Sequence, residues 1–119
     1  MDSEGRARPE FMRRLKWLME QCDRRGIIVD VTIARSAGES GSGIALLAAD
    51  LRCWETLVIG LKHFRNWYLD LANERNVRDA RFVSLDELRV LRDRARELDE
   101  SLLITASDIG DIGKEELEK

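Results

Sequence analysis

An α/β domain, with helices at 9–25 and 84–99 packed on the faces of a central sheet, is the fold class this sequence predicts. Three stretches carry the prediction. Phe11, Leu15, Leu18 and Cys22 recur at helical spacing behind Pro9, a residue suited to the first position of a helix. From Ile27 to Ala34 β-branched residues dominate and alternate cleanly, with Ile27, Val29, Val31 and Ile33 on one face and Ile28, Asp30, Thr32 and Ala34 on the other. Ser84-Leu85-Asp86-Glu87 is a capping box opening a second amphipathic helix along Leu88, Leu91, Ala95 and Leu98. The short apolar run from Ser101 to Ala106 then reads as a strand.

The remaining segments follow in chain order. Residues 1–8 are polar and read as a flexible N-terminus. Arg24-Arg25-Gly26 reads as a helix end, two cations facing the carbonyl terminus before a glycine able to go left-handed. Ser36 to Gly43 holds three Gly and three Ser and no core-forming side chain, as in a flexible linker or a connection where backbone comes close to a neighbour or a ligand. The stretch 44–71 supports two readings. Its apolar residues from Ile44 to Leu71 fall three or four apart, as in one long helix, while Thr56, Val58, Ile59 and Gly60 favour a strand. From His63 to Phe82 a short helix and then a loop are expected, and 110–119 is an acidic tail behind a single domain spanning 9–109.

Composition narrows the function classes. At 119 residues with 44% hydrophobic content the chain suits one domain, which at this size buries roughly two-thirds of its unfolded surface. Twenty basic residues against 23 acidic ones, net charge -3, exclude a polybasic, histone-like protein. Sixteen of the basic residues are Arg, whose planar guanidinium grips phosphate or carboxylate in bidentate fashion. A folded domain that gathers such residues on one face still binds nucleic acid. Cys22 and Cys53 are isolated in apolar contexts and read as buried free thiols, which implies a reducing compartment. No long uncharged apolar run and no signal-peptide pattern is present, so the expectation is a soluble, intracellular protein without a membrane partner.

The stretch from Gly26 to Lys62 carries a family resemblance. GIIVDVTIAR, the loop SAGESGSG and the apolar run ending in Lys62 resemble the core of the Mrr-type restriction endonucleases, a branch of the PD-(D/E)XK nucleases. Leu102 to Ser107 is similar to that family's hydrophobic-hydrophobic-Thr-Thr-Ser strand. The resemblance implies the order αβββ(α)αβ with a central mixed sheet, and it selects a hairpin of roughly 43–50 and 55–62 for the ambiguous stretch. It sets Gly43-Ile44-Ala45 where the family has Gly-hydrophobic-Asp, and Gly60-Leu61-Lys62 where it has Glu or Gln, any residue, then Lys. Ala45 and Gly60 thus stand at the acidic positions, and Lys62 is the remnant of the catalytic set. In an active relative the acids hold Mg²⁺ for phosphodiester hydrolysis, and residues two apart on a strand share a face. Without those acids the resemblance implies an inactive form with no cofactor. Glu10 and Glu39 are the remaining metal-ligand candidates, although no spacing singles them out. The partner implied is double-stranded DNA, met by Lys62, His63, Arg65 and Arg35, and the expected assembly is a homodimer that covers an exposed sheet edge or helix face. The competing class is a protein-interaction module or small oligomeric structural protein presenting Trp54, Phe64, Trp67 and Tyr68 to a partner.

Overall fold

A computed structural model of the chain describes residues 2, 4–33, 47–76 and 82–108. Its elements alternate: α1 (Pro9–Arg24), β1 (Val29–Thr32), α2 (Leu47–Leu61), β2 (Trp67–Asp70), α3 (Leu85–Leu98) and β3 (Ile104–Thr105). The three strands form one parallel sheet in the order β1-β2-β3. The fold is therefore α/β, but the hairpin at 43–62 and the mixed sheet are corrected to two successive β-α-β crossovers. The short helix expected within His63 to Phe82 is corrected as well: among the described residues of that stretch Trp67–Asp70 is β2 and no further helix forms.

Where local signals are strong, the elements form as expected. Pro9 stands at the start of α1 and Glu10 in its first turn, while Arg24 lies in its last turn and Gly26 adopts a positive φ of 69° just beyond it. Both halves of the capping box at α3 are made: the Ser84 hydroxyl accepts from the Glu87 amide at 3.1 Å and the Glu87 carboxylate accepts from the Ser84 amide at 2.9 Å.

The α2 stretch forms a helix because tertiary contacts reward its helical face. Ala49, Cys53 and Leu57, with Trp54, Val58 and Leu61, are all buried and recur three or four apart. Thr56 is accommodated by donating its hydroxyl to the Arg52 carbonyl one turn back, at 2.8 Å. Gly60, which costs a helix about 1 kcal/mol relative to Ala, has a packing role. A Cβ at position 60 would meet the Met12 methyl of α1 at 2.9 Å. The missing side chain lets α1 close on α2.

β2 is four residues long, too short to show a period, and three of them are buried. Its start is fixed by contacts no local pattern announces. The Asn66 amide donates to the carbonyls of Met19 and Ile27, both at 3.2 Å, and the Trp67 indole donates to the Leu61 carbonyl at 3.1 Å.

Register pairs Val29 with Trp67 and Val31 with Leu69, and Leu69 in turn with Ile104, so these side chains share one face of the sheet. The helices α2 and α3 pack against each other, and the buried cluster joins this sheet face to their inner sides and to Met19 of α1. The opposite face carries Asp30, Thr32, Tyr68 and Thr105, and Leu103 just before β3 is 72% exposed. Parallel sheets are usually covered on both faces. On this open face the Tyr68 hydroxyl donates to the Asp30 carboxylate at 2.9 Å, a bond that raises the tyrosine pKa.

The carboxyl end of the sheet is sealed by buried charge. Asp70 turns the chain by accepting from the Ala72 amide at 3.1 Å. Arg75, 2% exposed, sets its Nε 2.8 Å from Asp108, donates from Nη1 to the Val83 carbonyl at 3.2 Å, and lies 5.5 Å from the Phe82 ring centre. Its own amide donates to the Ser107 carbonyl at 2.8 Å. One side chain thus ties three segments together.

Within the stretch read as a flexible N-terminus, Gly5 is buried against α2. Its φ of 78° and its position favour glycine twice over, since a Cβ there would overlap the Ala49 carbonyl oxygen. The neighbouring Cys53 is fully buried, whereas Cys22 is half-buried, and both are free thiols. Burial pushes the Cys53 thiol up to about 12. At mildly alkaline pH a maleimide should therefore label Cys22 in the folded protein and reach Cys53 only after denaturation, as read by peptide mass mapping. Rapid native labelling of Cys53 would contradict its place in the core.

Candidate nucleic-acid interface

The five residues between α2 and β2 alternate between anchors and exposed cations. Phe64 packs on the core and its amide donates to the Leu61 carbonyl at 2.9 Å. Asn66 is buried and hydrogen-bonded as described above. Between and before them Lys62, His63 and Arg65 are exposed. The imidazole of His63 leans on the Phe64 ring, centroids 4.3 Å apart, and Arg65 donates from Nη1 to the Ser101 hydroxyl at 3.1 Å. A turn pinned from inside by an aromatic and an amide presents its charged members outward without freedom to collapse.

The last turn of α3 completes the surface. Lys62, His63, Arg65 and Arg96 line one shallow groove of about 490 Å³ together with Glu97, Leu98, Asp99 and Glu100. Two of the three carboxylates are already engaged. Glu97 accepts from Arg94 at 2.8 Å, and Asp99 accepts from both the amide and the hydroxyl of Ser101, at 3.1 and 2.7 Å. Among the described residues, Lys62, Arg65 and Arg96 make no ion pair. The groove therefore holds three cations and a histidine beside three carboxylates, of which Glu97 is paired with a cation, Arg94, and Asp99 is held by Ser101.

Three of the four residues expected at a nucleic-acid contact come together here, and Arg35 lies outside the described residues. Arg96 was not foreseen. In the sequence it is one of four arginines alternating with acids along α3, and only the packing of α3 beside the 62–66 turn sets it apart.

Of the two residues at the positions of the family's acids, only Gly60 is among the described residues. Ala45 and Glu39 lie outside the described residues. Gly60 lies within α2 against Met12, and Lys62 in the turn that follows, so Gly60 and Lys62 are not neighbours on one face of a strand. Gly60 brings no carboxylate, and Glu10 is exposed on α1, where it accepts from Arg14 at 2.7 Å. No family model, curated protein or solved structure matches this chain.

The aromatic set expected on a partner surface is largely internal. Trp54 is 2% and Trp67 6% exposed, and both belong to the core, while Phe64 packs against it. The strongly exposed aromatics lie elsewhere: Phe11 and Trp17 on α1, and Phe82 ahead of α3. Among the described residues, no helix is long and apolar enough to cross a membrane.

Proposed function

We propose that this chain is a nucleic-acid-associated α/β domain that holds the phosphate backbone of duplex DNA along the groove formed by Lys62, His63, Arg65 and Arg96. The observation that carries this reading is the convergence of three cations without ion-pair partners among the described residues on a turn held rigid by Phe64 and Asn66. Cations already paired within the protein have little left to offer a phosphate, whereas unpaired ones release condensed counterions when they replace them. Arg65 and Arg96 supply planar forks and Lys62 a point charge. With no carboxylate at Gly60 and Lys62 in a turn, the reading is one of binding without metal-assisted cleavage.

Three phosphate contacts predict a slope of about -2.7 for log affinity against log salt, hence about a 40-fold loss of affinity between roughly 50 and 200 mM. Fluorescence anisotropy with a labelled duplex measures it. Charge reversal by Lys62→Glu or Arg96→Glu should flatten the slope by about one contact each, with folding unchanged because both side chains are exposed. Binding that ignores salt, or that survives both reversals undiminished, defeats the proposal.

A further inference from the structure

We propose that the outward face of α1 is a self-complementary interface through which two copies of this chain pair, their α1 helices antiparallel about a two-fold axis at Trp17. This rests on observations separate from the cationic groove. α1 turns Met12, Leu15 and Met19 inward to the core. At 100° per residue the opposite side presents Glu10, Arg13, Arg14, Trp17, Glu20 and Arg24, all exposed. Trp17 is 62% exposed at the middle of this side, with Phe11 at 56% and Leu18 at 44% along its flank. The other two tryptophans are buried, so an open indole is a local feature of this helix.

Charge identifies the occupant. When a second α1 is laid antiparallel with Trp17 on Trp17, Glu10 falls opposite Arg24, and Glu20 falls opposite Arg13, which lies on the same side of the helix at 100° per residue; each pair occurs twice by symmetry. A parallel pairing in the same register sets Glu10 on Glu10 and Arg14 on Arg14, so like charges exclude it. Among the described residues Glu20 and Arg24 make no ion pair within their own chain, despite lying one turn apart on the same helix, and are available to a partner. Glu10 already accepts from Arg14 of its own helix at 2.7 Å, so Glu20, which faces Arg13, is the carboxylate left to bridge the two copies. A 16-residue helix is about 24 Å long, so the contact falls below the usual 1,600 Å² of a stable complex and belongs to the weak, concentration-dependent class.

Sedimentation equilibrium from low to high micromolar concentration tests the pairing, with acrylamide quenching of tryptophan fluorescence as a second readout on the exposed indole. The expected result is a monomer–dimer equilibrium in which Trp17 becomes shielded as concentration rises. Glu20→Arg, which sets Arg against Arg on both sides of Trp17, should weaken the dimer on the order of tenfold or more. Adding Arg13→Glu to it should restore most of that loss, because the pair is then re-formed with its signs exchanged. Trp17→Ala should leave a folded monomer. A monomer at every concentration overturns the proposal, as does a dimer that tolerates Trp17→Ala or one in which the double exchange fails to rescue Glu20→Arg.

Discussion

Arg75→Met is expected to cost about 3 kcal/mol of folding stability, a large share of the 5–15 kcal/mol of a typical domain. Arg75 has only 3% of its side chain exposed and Asp108 13%, and their charged atoms are 2.8 Å apart. Two desolvated charges nearly balance, but one alone does not, and removing the guanidinium leaves Asp108 poorly solvated and without its counter-charge. The same substitution removes the bond to the Val83 carbonyl and the approach to the Phe82 ring. The estimate sits at the low end of the range for buried pairs because Asp108 retains some access to water. A second change, Asp108→Asn, should recover part of the loss, since an amide tolerates burial beside Met better than a carboxylate does. Urea unfolding of the two single variants and the double variant gives the coupling directly. If Arg75→Met costs less than about 1 kcal/mol, the pair contributes no clamp and the loop after β2 is held by its backbone bonds to 105–107.

Trp54→Ala is expected to cost about 3–5 kcal/mol, while Trp17→Ala changes stability by no more than about 0.5 kcal/mol. The two residues have the same side chain in opposite settings: Trp54 is 2% exposed within the buried cluster, and Trp17 is 62% exposed on α1. Truncation at position 54 removes the whole indole and leaves a cavity that neighbouring Leu and Val side chains only partly fill. A milder outcome is expected for Trp54→Phe, about 1.5 kcal/mol or less, because the buried indole Nε1 has no hydrogen-bond partner among the described residues and its removal relieves an unmet donor. Thermal or urea unfolding separates the three variants. Equal costs at positions 17 and 54 would contradict the burial of α2.

These predictions rest on elements that differed in how plainly the sequence announced them. α1, β1 and α3 carry their signals within a few residues: Pro9 and the Phe11–Leu15 spacing, the alternation through Val29 and Val31, and the Ser84–Glu87 capping box. Such signals survive because each is satisfied locally, by the backbone or by one face meeting any apolar surface. The cationic turn was half legible in the same way. Lys62, His63 and Arg65 are near neighbours in sequence, so their grouping needs no fold, whereas their reading as a DNA contact rests on the family resemblance and not on their charge.

Non-local contacts decided what remained. Thr56, Val58, Ile59 and Gly60 favour a strand by propensity, yet the segment is a helix because Ala49, Cys53, Leu57 and Leu61 bury together only at helical spacing. β2 was invisible for the complementary reason. Four residues show no period, and Trp67–Asp70 is extended because Asn66 and the strands on either side hold it so. The groove gained Arg96, and the buried end of the sheet gained Arg75, only when residues distant in sequence were brought into one layer. Composition and short-range pattern determined the α/β class, two outer helices and the first strand of this protein. The parallel topology, the helical state of 47–61 and the company each arginine keeps were decided by tertiary packing, because burial and ion pairing depend on which distant side chains arrive, and that information is not local to any stretch of the chain.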